Sequence, residues 1–224
     1  MHVFESLDLW IDPVSRPGPA AMAVDEWLME TRASPVLRVY RWSGNWGTLG
    51  YFGRIAEARA AFPGLPWVRR WTGGGTVDHR ADWTYTIFAP KDSAPARMKG
   101  AESYRSIHAA LAAALADEGL PVRLSDGSDQ TGAAACFANP VGHDIVDASG
   151  RKLAGAGQRR GGRGLLHQGS VALPCDAATS EARARSLARA LSASPAECRV
   201  EVPEDRIAAL VRARYGTPEW TGRR

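Results

Sequence analysis

The sequence predicts an α+β domain built on a mixed, mainly antiparallel sheet flanked by helices. Two observations carry that prediction. Strand-like segments outnumber helical ones, and several follow one another with only turn residues between them, such as Ser149-Gly150 and Gly161-Gly162. No Gly-x-Gly-x-x-Gly turn follows a strand and no Walker-type lysine loop is present, so the strand–helix alternation of a doubly wound nucleotide-binding fold is not the pattern. At 224 residues the chain is read as one domain spanning 1–224, with no internal repeat, no linker and no accessory C-terminal domain.

The elements follow in order. Pro17 to Arg32 reads as a helix, with Pro19 near its start and Val24, Trp27 and Leu28 on one face. Val36 to Trp42 and Trp46 to Phe52 read as strands, the second broken by glycines. Trp67 to Trp71 is a short strand and Trp83 to Phe88 a clearer one. Ser103 to Glu118 is the strongest helix: Tyr104, Ile107, Leu111 and Leu115 share a face, Gly119 stops it and Pro121 follows. Ser125 to Ala135 is small and polar, a loop. Asp144 to Asp147, Arg151 to Gln158 and Leu165 to Leu173 are strands. Two helices close the chain, Glu181 to Leu191 and Pro203 to Tyr215. The second carries Pro at its start, Glu204 and Asp205 in its first turn and Gly216 at its end.

Composition narrows the function classes. Hydrophobic residues make up 45% and charged residues 23%, enough for a buried core. No apolar run reaches the ~20 residues a membrane helix needs. The opening MHVFESLDLWID has acids and no basic n-region, so no secretory signal is read and a cytoplasmic location is expected. The cysteines, Cys136, Cys175 and Cys198, are too few and odd in number for a disulfide framework. The net charge of +4 favours acidic partners. The arginines are spread along the sequence without aromatic clustering, which argues against nucleic acid as partner. Of the 28 basic residues only three are lysine (Lys91, Lys99 and Lys152), leaving 25 arginines. A lysine kept among arginines points to chemistry that needs a compact point charge on a flexible stem.

Four segments carry chemistry. In Arg69-Arg70-Trp71-Thr72-Gly73-Gly74-Gly75-Thr76-Val77-Asp78-His79, three glycines let the backbone approach a ligand and offer N–H groups. The arginines suit a carboxylate or phosphate, and His79 can orient a polar group. The alternative is a plain surface loop after a strand. In Gly142 to Arg160 a hairpin places Lys152 at the start of its second strand, either as a solvated strand lysine or as the head of a narrow pocket polarising a carbonyl. Cys136-Phe137 follows a polar glycine-containing loop, so Cys136 is either a small buried hydrophobe or an exposed nucleophile. In Leu165 to Leu173, His167-Gln168-Gly169 interrupts an apolar run, and His167 faces a site or the far side of the sheet.

In this order and spacing these segments resemble the lipoate-protein ligase and octanoyltransferase family, whose catalytic domain is of the class II aminoacyl-tRNA synthetase/biotin ligase type. Val36 to Gly53 resembles its strand pair ending in a Gly-aromatic turn. Arg69-Arg70-x-Thr72-Gly73-Gly74-Gly75-x-Val77-x-His79 is similar to its acyl-binding loop. Asp144 through Lys152 to Gly155 is similar to its Gly-x-Lys-x-x-Gly hairpin, and Tyr215-Gly216-Thr217-Pro218-Glu219-Trp220 to its tail motif.

The resemblance implies an apolar tunnel for a medium-chain acyl group with Lys152 at the acyl carbonyl. It implies attachment of an octanoyl or lipoyl group to a lysine of a lipoyl-domain acceptor protein. One branch transfers octanoyl from acyl carrier protein through a cysteine thioester, needs no cofactor, and places its nucleophile where Cys136-Phe137 stands. The other branch activates free lipoate with ATP and magnesium, sometimes with a separate accessory chain. Arg69, Arg70, Thr72, Gly73, Gly74, Gly75, His79, Asp144, Gly155, His167, Gln168 and Gly169 would bind substrate, with Lys152 and Cys136 catalytic and no protein-held metal.

The sequence departs from the family at two points. Gln168 stands where the family has the histidine of His-Gly, and His143 replaces the asparagine of the Asn-Asp pair common in ligases. The second departure weakens the ATP-ligase reading. Gln168 also keeps open a non-catalytic acyl-binding or assembly protein. A biotin ligase fits less well, because the arginines precede the glycines.

Overall fold

The computed structural model describes residues 2–127 and 140–223. Its main sheet has eight strands in the order β11-β1-β2-β6-β10-β9-β8-β7. The strands are β1 (Phe4–Ile11), β2 (Val36–Tyr40), β6 (Trp83–Pro90), β7 (Val122–Leu124), β8 (Ile145–Asp147), β9 (Lys152–Gly161), β10 (Gly164–Val171) and β11 (Ser192–Glu197). β1 pairs in parallel with β11 and β2, and the other neighbours are antiparallel. A small second sheet joins β3 (Gly47–Leu49), β4 (Trp67–Arg69) and β5 (Thr76–Asp78) in the order β4-β3-β5. The expected mixed, mainly antiparallel α+β architecture is what forms.

Strand alternation sorts side chains onto the two faces of the main sheet. On β6, Tyr85, Ile87 and Ala89 enter a core shared with helices α4 (Gly100–Asp117) and α5 (Ala177–Leu191). Phe88 and Leu166 enter a second core under α1 (Gly18–Thr31), to which Ile207 of α6 (Glu204–Leu210) also belongs. α4 earns its place through Ile107, Ala110, Leu111, Ala114 and Leu115, all buried, and ends before Gly119 at φ +82°. Asp176 caps α5 by accepting from the Thr179 N–H at 2.7 Å.

The face under α1 also carries a buried polar row. Arg38 of β2 donates to Asp12 at 2.8 Å and to Asp25 of α1 at 2.7 Å, with no side chain in the trio more than 1% exposed. The two carboxylates hold the guanidinium charged despite full burial, raising its pKa above the ordinary arginine value. A charge cluster this deep is retained for geometry more than for stability, since desolvation offsets most of the Coulomb gain.

Several elements differ from expectation. β1, β5, β7 and β11 form where no strand was anticipated, as do three short helices, α2 (Ile55–Ala61), α3 (Ala94–Arg97) and α7 (Pro218–Gly222). The last long helix stops at Leu210, passes through a π turn at Val211–Tyr215 and ends at Gly216. The arginines also cluster with aromatics after all. Arg159 lies 4.2 Å from the Trp71 ring centre, Arg214 5.1 Å from Trp220 and Arg223 4.7 Å from Tyr51. Among the described residues no helix is long and apolar enough to cross a membrane.

Candidate functional site

A cavity of about 410 Å³, its mouth included, lies between the α1 face of the main sheet and the small sheet. Tyr40, Trp42, Thr48, Arg70, Gly74 and His79 form one side. Gly155, Ala156 and Gly157 of β9 and Gln168, Gly169 and Ser170 of β10 form the other, and Met22 of α1 closes the space between them.

The glycine segment is pressed against β9 and β3. A Cβ on Gly157 would stand 2.3 Å from the Gly73 carbonyl oxygen, so only glycine lets the loop lie this close. The Gly73 N–H donates to the Gln158 carbonyl at 3.3 Å and the Gly50 N–H to the Gly75 carbonyl at 3.2 Å. The N–H groups of Gly74 and Gly75 make no hydrogen bond with any described residue.

The two arginines part company. Arg70 lines the cavity and donates to Thr48 Oγ1 at 2.6 Å and to the carbonyls of Gly73 and Gly75 at 3.1 and 2.9 Å. Arg69 is fully buried and outside the lining. It donates to the carbonyls of Gly50, Tyr51 and Gly53 on one side and of Trp220, Thr221 and Arg223 on the other. Its place is structural: it ties the C-terminal segment to the turn after β3, where the sequence suggested an anion ligand.

His79 lines the cavity. Asp82 can only accept, so the 2.6 Å contact puts a proton on His79 Nδ1. Arg70 donates into Thr48 Oγ1, which is hydrogen-bonded to His79 Nε2 at 2.8 Å. Trp42 stacks on the imidazole at 4.3 Å between ring centres. The chain Arg70–Thr48–His79–Asp82 therefore fixes one wall of the cavity. Ser170 and Thr84 also donate to Asp82 Oδ2.

Lys152 is buried and within 2.7 Å of Asp144. Its Nζ stands 2.7 Å from where a Cβ of Gly155 would be, so the ammonium occupies the space that glycine leaves beside the cavity wall. Asp144 is held in turn. The Val141 N–H donates to its Oδ2 at 2.8 Å, and the Tyr104 hydroxyl donates to its Oδ1 at 2.5 Å while accepting from the Ala156 N–H at 2.9 Å. Burial, followed by the Asp144 charge, raises the Tyr104 phenol well above its ordinary range and keeps it a donor. The lysine hairpin thus places Lys152 beside Asp144 at the cavity wall.

His167 is not at the cavity. It points to the α4 side of the sheet, fully buried, within 3.2 Å of the Tyr85 hydroxyl and 3.1 Å of Gln158 Nε2. Burial drives its pKa well below the usual value, so it is a neutral wall residue. Its neighbour Gln168 faces the cavity, between Thr72 and Asp25. Cys136 and Phe137 lie outside the described residues. The sequence reading did not single out Asp25, Thr48, Asp82 or Tyr104. Only Tyr104 carried a signal, as a polar-tipped residue on the apolar face of the strongest helix.

The site therefore has an apolar cavity beside loop N–H groups that no described residue accepts from, and a buried lysine paired with a carboxylate, on a sheet closed by a glycine segment. Residues 17–213 match the Lipoyl protein ligase A/B catalytic domain, and the chain belongs to that family. Relatives include the octanoyltransferase LipM of Moorella thermoacetica, 36% identical over 68% of this chain and 60% of that protein. The octanoyltransferase LipM of Symbiobacterium thermophilum is 32% identical over 74% of this chain and 65% of that one. The chain thus spans somewhat under two thirds of the length of both. In fold it is similar to the bi-partite lipoate protein ligase of Thermoplasma acidophilum, with TM-score 0.73, 18% identity, and 97% and 96% of the two chains covered.

Proposed function

We propose that this domain is an acyltransferase that moves an octanoyl group from acyl carrier protein to a lysine of a lipoyl-domain acceptor protein. The observation that carries this is Lys152, held by Asp144 and Tyr104 beside an apolar cavity and a glycine segment. The likeness to proteins named octanoyltransferase supports it.

In this reading the Cys136 thiolate attacks the carrier thioester carbonyl. Negative charge gathers on the acyl oxygen, the carrier sulfur leaves as a thiolate, and an octanoyl thioester remains on Cys136. The neutral amine of the acceptor lysine then attacks that thioester, an amide forms, Cys136 is released as a thiolate and the amine proton goes to solvent. Charge develops on the acyl oxygen in both steps. Lys152 and the N–H groups of Gly74 and Gly75 would stabilise it, each donor contributing on the order of 3 kcal/mol. The cavity would hold the chain at ~0.8 kcal/mol per buried methylene. The excess of basic residues supports docking of two acidic partner proteins. The sparse cysteines support a reducing compartment, the cytoplasm. This route needs no nucleotide and no metal.

The test is the intact mass of the protein after incubation with octanoyl-acyl carrier protein without ATP, for wild type and Cys136→Ser. An octanoyl adduct on wild type, released by hydroxylamine and missing from the variant, is expected. Acceptor labelling that requires lipoate, ATP and magnesium would replace this reading with a ligase. Should labelling appear only after a second chain is added, an accessory partner is part of the enzyme. With neither adduct nor labelling, a non-catalytic acyl-binding protein remains.

A further inference from the structure

We infer that Gln168 is a positioning residue: its amide latches the glycine segment to helix α1 by joining the Thr72 hydroxyl to the Asp25 carboxylate. For its kinetic readout the inference rests on the acyl-transfer reading; for its structural readout it does not.

The network fixes which way the amide points. Asp25 is a carboxylate saturated with donors. Arg38 donates to Oδ1 at 2.7 Å, while Thr86 at 2.8 Å and Tyr40 at 3.4 Å donate to Oδ2. The Gln168 atom 2.6 Å from Oδ2 must therefore be the amide nitrogen, donating. That leaves Oε1 toward Thr72, whose hydroxyl donates to it at 2.7 Å. The remaining amide hydrogen lies toward Met22 Sδ at 3.4 Å.

Gln168 thus spans from the middle of α1 to the first residue of Thr72-Gly73-Gly74-Gly75, with the side chain almost wholly buried. Where the loop is caught it also lies close against the sheet. A Cβ on Gly157, the β9 residue paired with Gln168, would stand 2.9 Å from Thr72 Oγ1. Below this contact lies the Arg38 cluster, which pins Asp25 from the other side. Loop, amide, carboxylate and guanidinium form one line from the cavity wall into the core.

A family histidine at this position could serve the same role. A neutral imidazole also carries one N–H donor and one acceptor nitrogen, separated by a single carbon in a flat group. The substitution by glutamine then preserves the latch instead of removing a proton-transfer group, and it does not mark a lost activity.

The test compares Gln168→Leu, Thr72→Val, their double variant and Gln168→His in the full chain. Hydrogen exchange of the peptide covering residues 71–76 is the first readout. It is expected to quicken at least about tenfold in Gln168→Leu and in Thr72→Val while peptides of α4 and α5 keep their wild-type rates. Octanoyl transfer is the second: kcat should fall at least about tenfold with KM for the acceptor little changed. Gln168→His should restore both to within about threefold. The double variant should be no worse than the worse single one, because the two residues form a single link. Losses that multiply, unaltered loop exchange, or a histidine variant as impaired as the leucine variant would each overturn the inference. If Gln168→Leu fails to fold, Thr72→Val breaks the same link from the loop end. If the wild type transfers no octanoyl group, the acyl-transfer reading fails while the exchange readout still decides the latch.

Discussion

His108 makes the folded state acid-labile, and the loss can be worked out from its surroundings. The residue sits on α4, fully buried, 4.1 Å from the Tyr104 ring and 5.5 Å from that of His167. Its Nδ1–H donates to the His143 carbonyl at 2.7 Å, and its Nε2 has no hydrogen-bond partner among the described residues. Burial therefore lowers its pKa from 6.5 to about 4. The unfolded chain takes up a proton near pH 6.5 and the folded chain only near pH 4, so the unfolded state binds more protons throughout that window. Stability is fully present above pH 6.5 and is lost as the pH falls toward 4. The gap from 6.5 to about 4, at roughly 1.4 kcal/mol per unit, is roughly 3 kcal/mol, of which about 2 kcal/mol disappears between pH 7 and pH 5. His167, depressed in the same direction by the same cause, adds to the loss.

The assay is urea unfolding at pH 7 and pH 5 for wild type and His108→Asn. The substitution carries a cost of its own at both pH values, which cancels in the difference between them. Wild type should lose at least about 2 kcal/mol over the interval, and the variant about 2 kcal/mol less. Equal losses in the two proteins would refute the assignment. The consequence reaches the site, because His143, whose carbonyl anchors His108, immediately precedes the Asp144 that holds Lys152.

Two further perturbations probe the anchors. Tyr104→Phe removes the hydroxyl that donates to Asp144 and accepts from Ala156, so the carboxylate that holds Lys152 loses one of its two anchors. Octanoyl transfer should show kcat reduced roughly tenfold with KM little changed and stability lowered by only about 1 kcal/mol; an effect confined to KM would contradict a role at the reacting carbonyl. Arg69→Lys replaces a five-donor fork that reaches six backbone carbonyls with a three-donor point charge. The expected result is a loss of about 3 kcal/mol in chemical denaturation and faster proteolysis within residues 217–223. Unchanged stability would show that the C-terminal segment is held by other contacts.

The helices and strands that could be read from the sequence were those whose burial pattern is local. Helix α4 announces itself because Ile107, Leu111 and Leu115 repeat at helical spacing, and β6 because apolar and threonine positions alternate. β11 offers no such signal. Its sequence, Ser-Ala-Ser-Pro-Ala-Glu, becomes a strand only through parallel pairing with β1, nearly 190 residues earlier in the chain. It tolerates Pro195 because it is an edge strand. β1 is hidden for a related reason. Lying between two parallel partners, it buries both faces at Leu9 and Trp10, which spoils the two-residue period.

The site follows the same rule, and its misreadings come from neighbours in sequence that are not neighbours in space. Arg69 and Arg70 look like a pair, as do His167 and Gln168. In extended chain, consecutive side chains leave on opposite sides. One member of each pair therefore meets the cavity and the other meets the opposite packing layer: Arg70 and Gln168 line the cavity, while Arg69 grips the C-terminal segment and His167 packs behind the sheet. The partners that give the cavity residues their direction come from elsewhere: Asp25 from α1, Thr48 from β3, Tyr104 from α4 and Asp82 from the turn before β6. No spacing along the chain could have joined Asp25 to Gln168, 143 positions away. The order β1-β2-β6-β10-β9 brings them together, because it sets β10 beside β6 and leaves α1 across the face that Arg38, Thr86 and Gln168 share. Motifs thus name the candidate groups, while sheet order determines what orients them. A substitution such as histidine to glutamine can look disabling in the motif and still leave the orienting network intact.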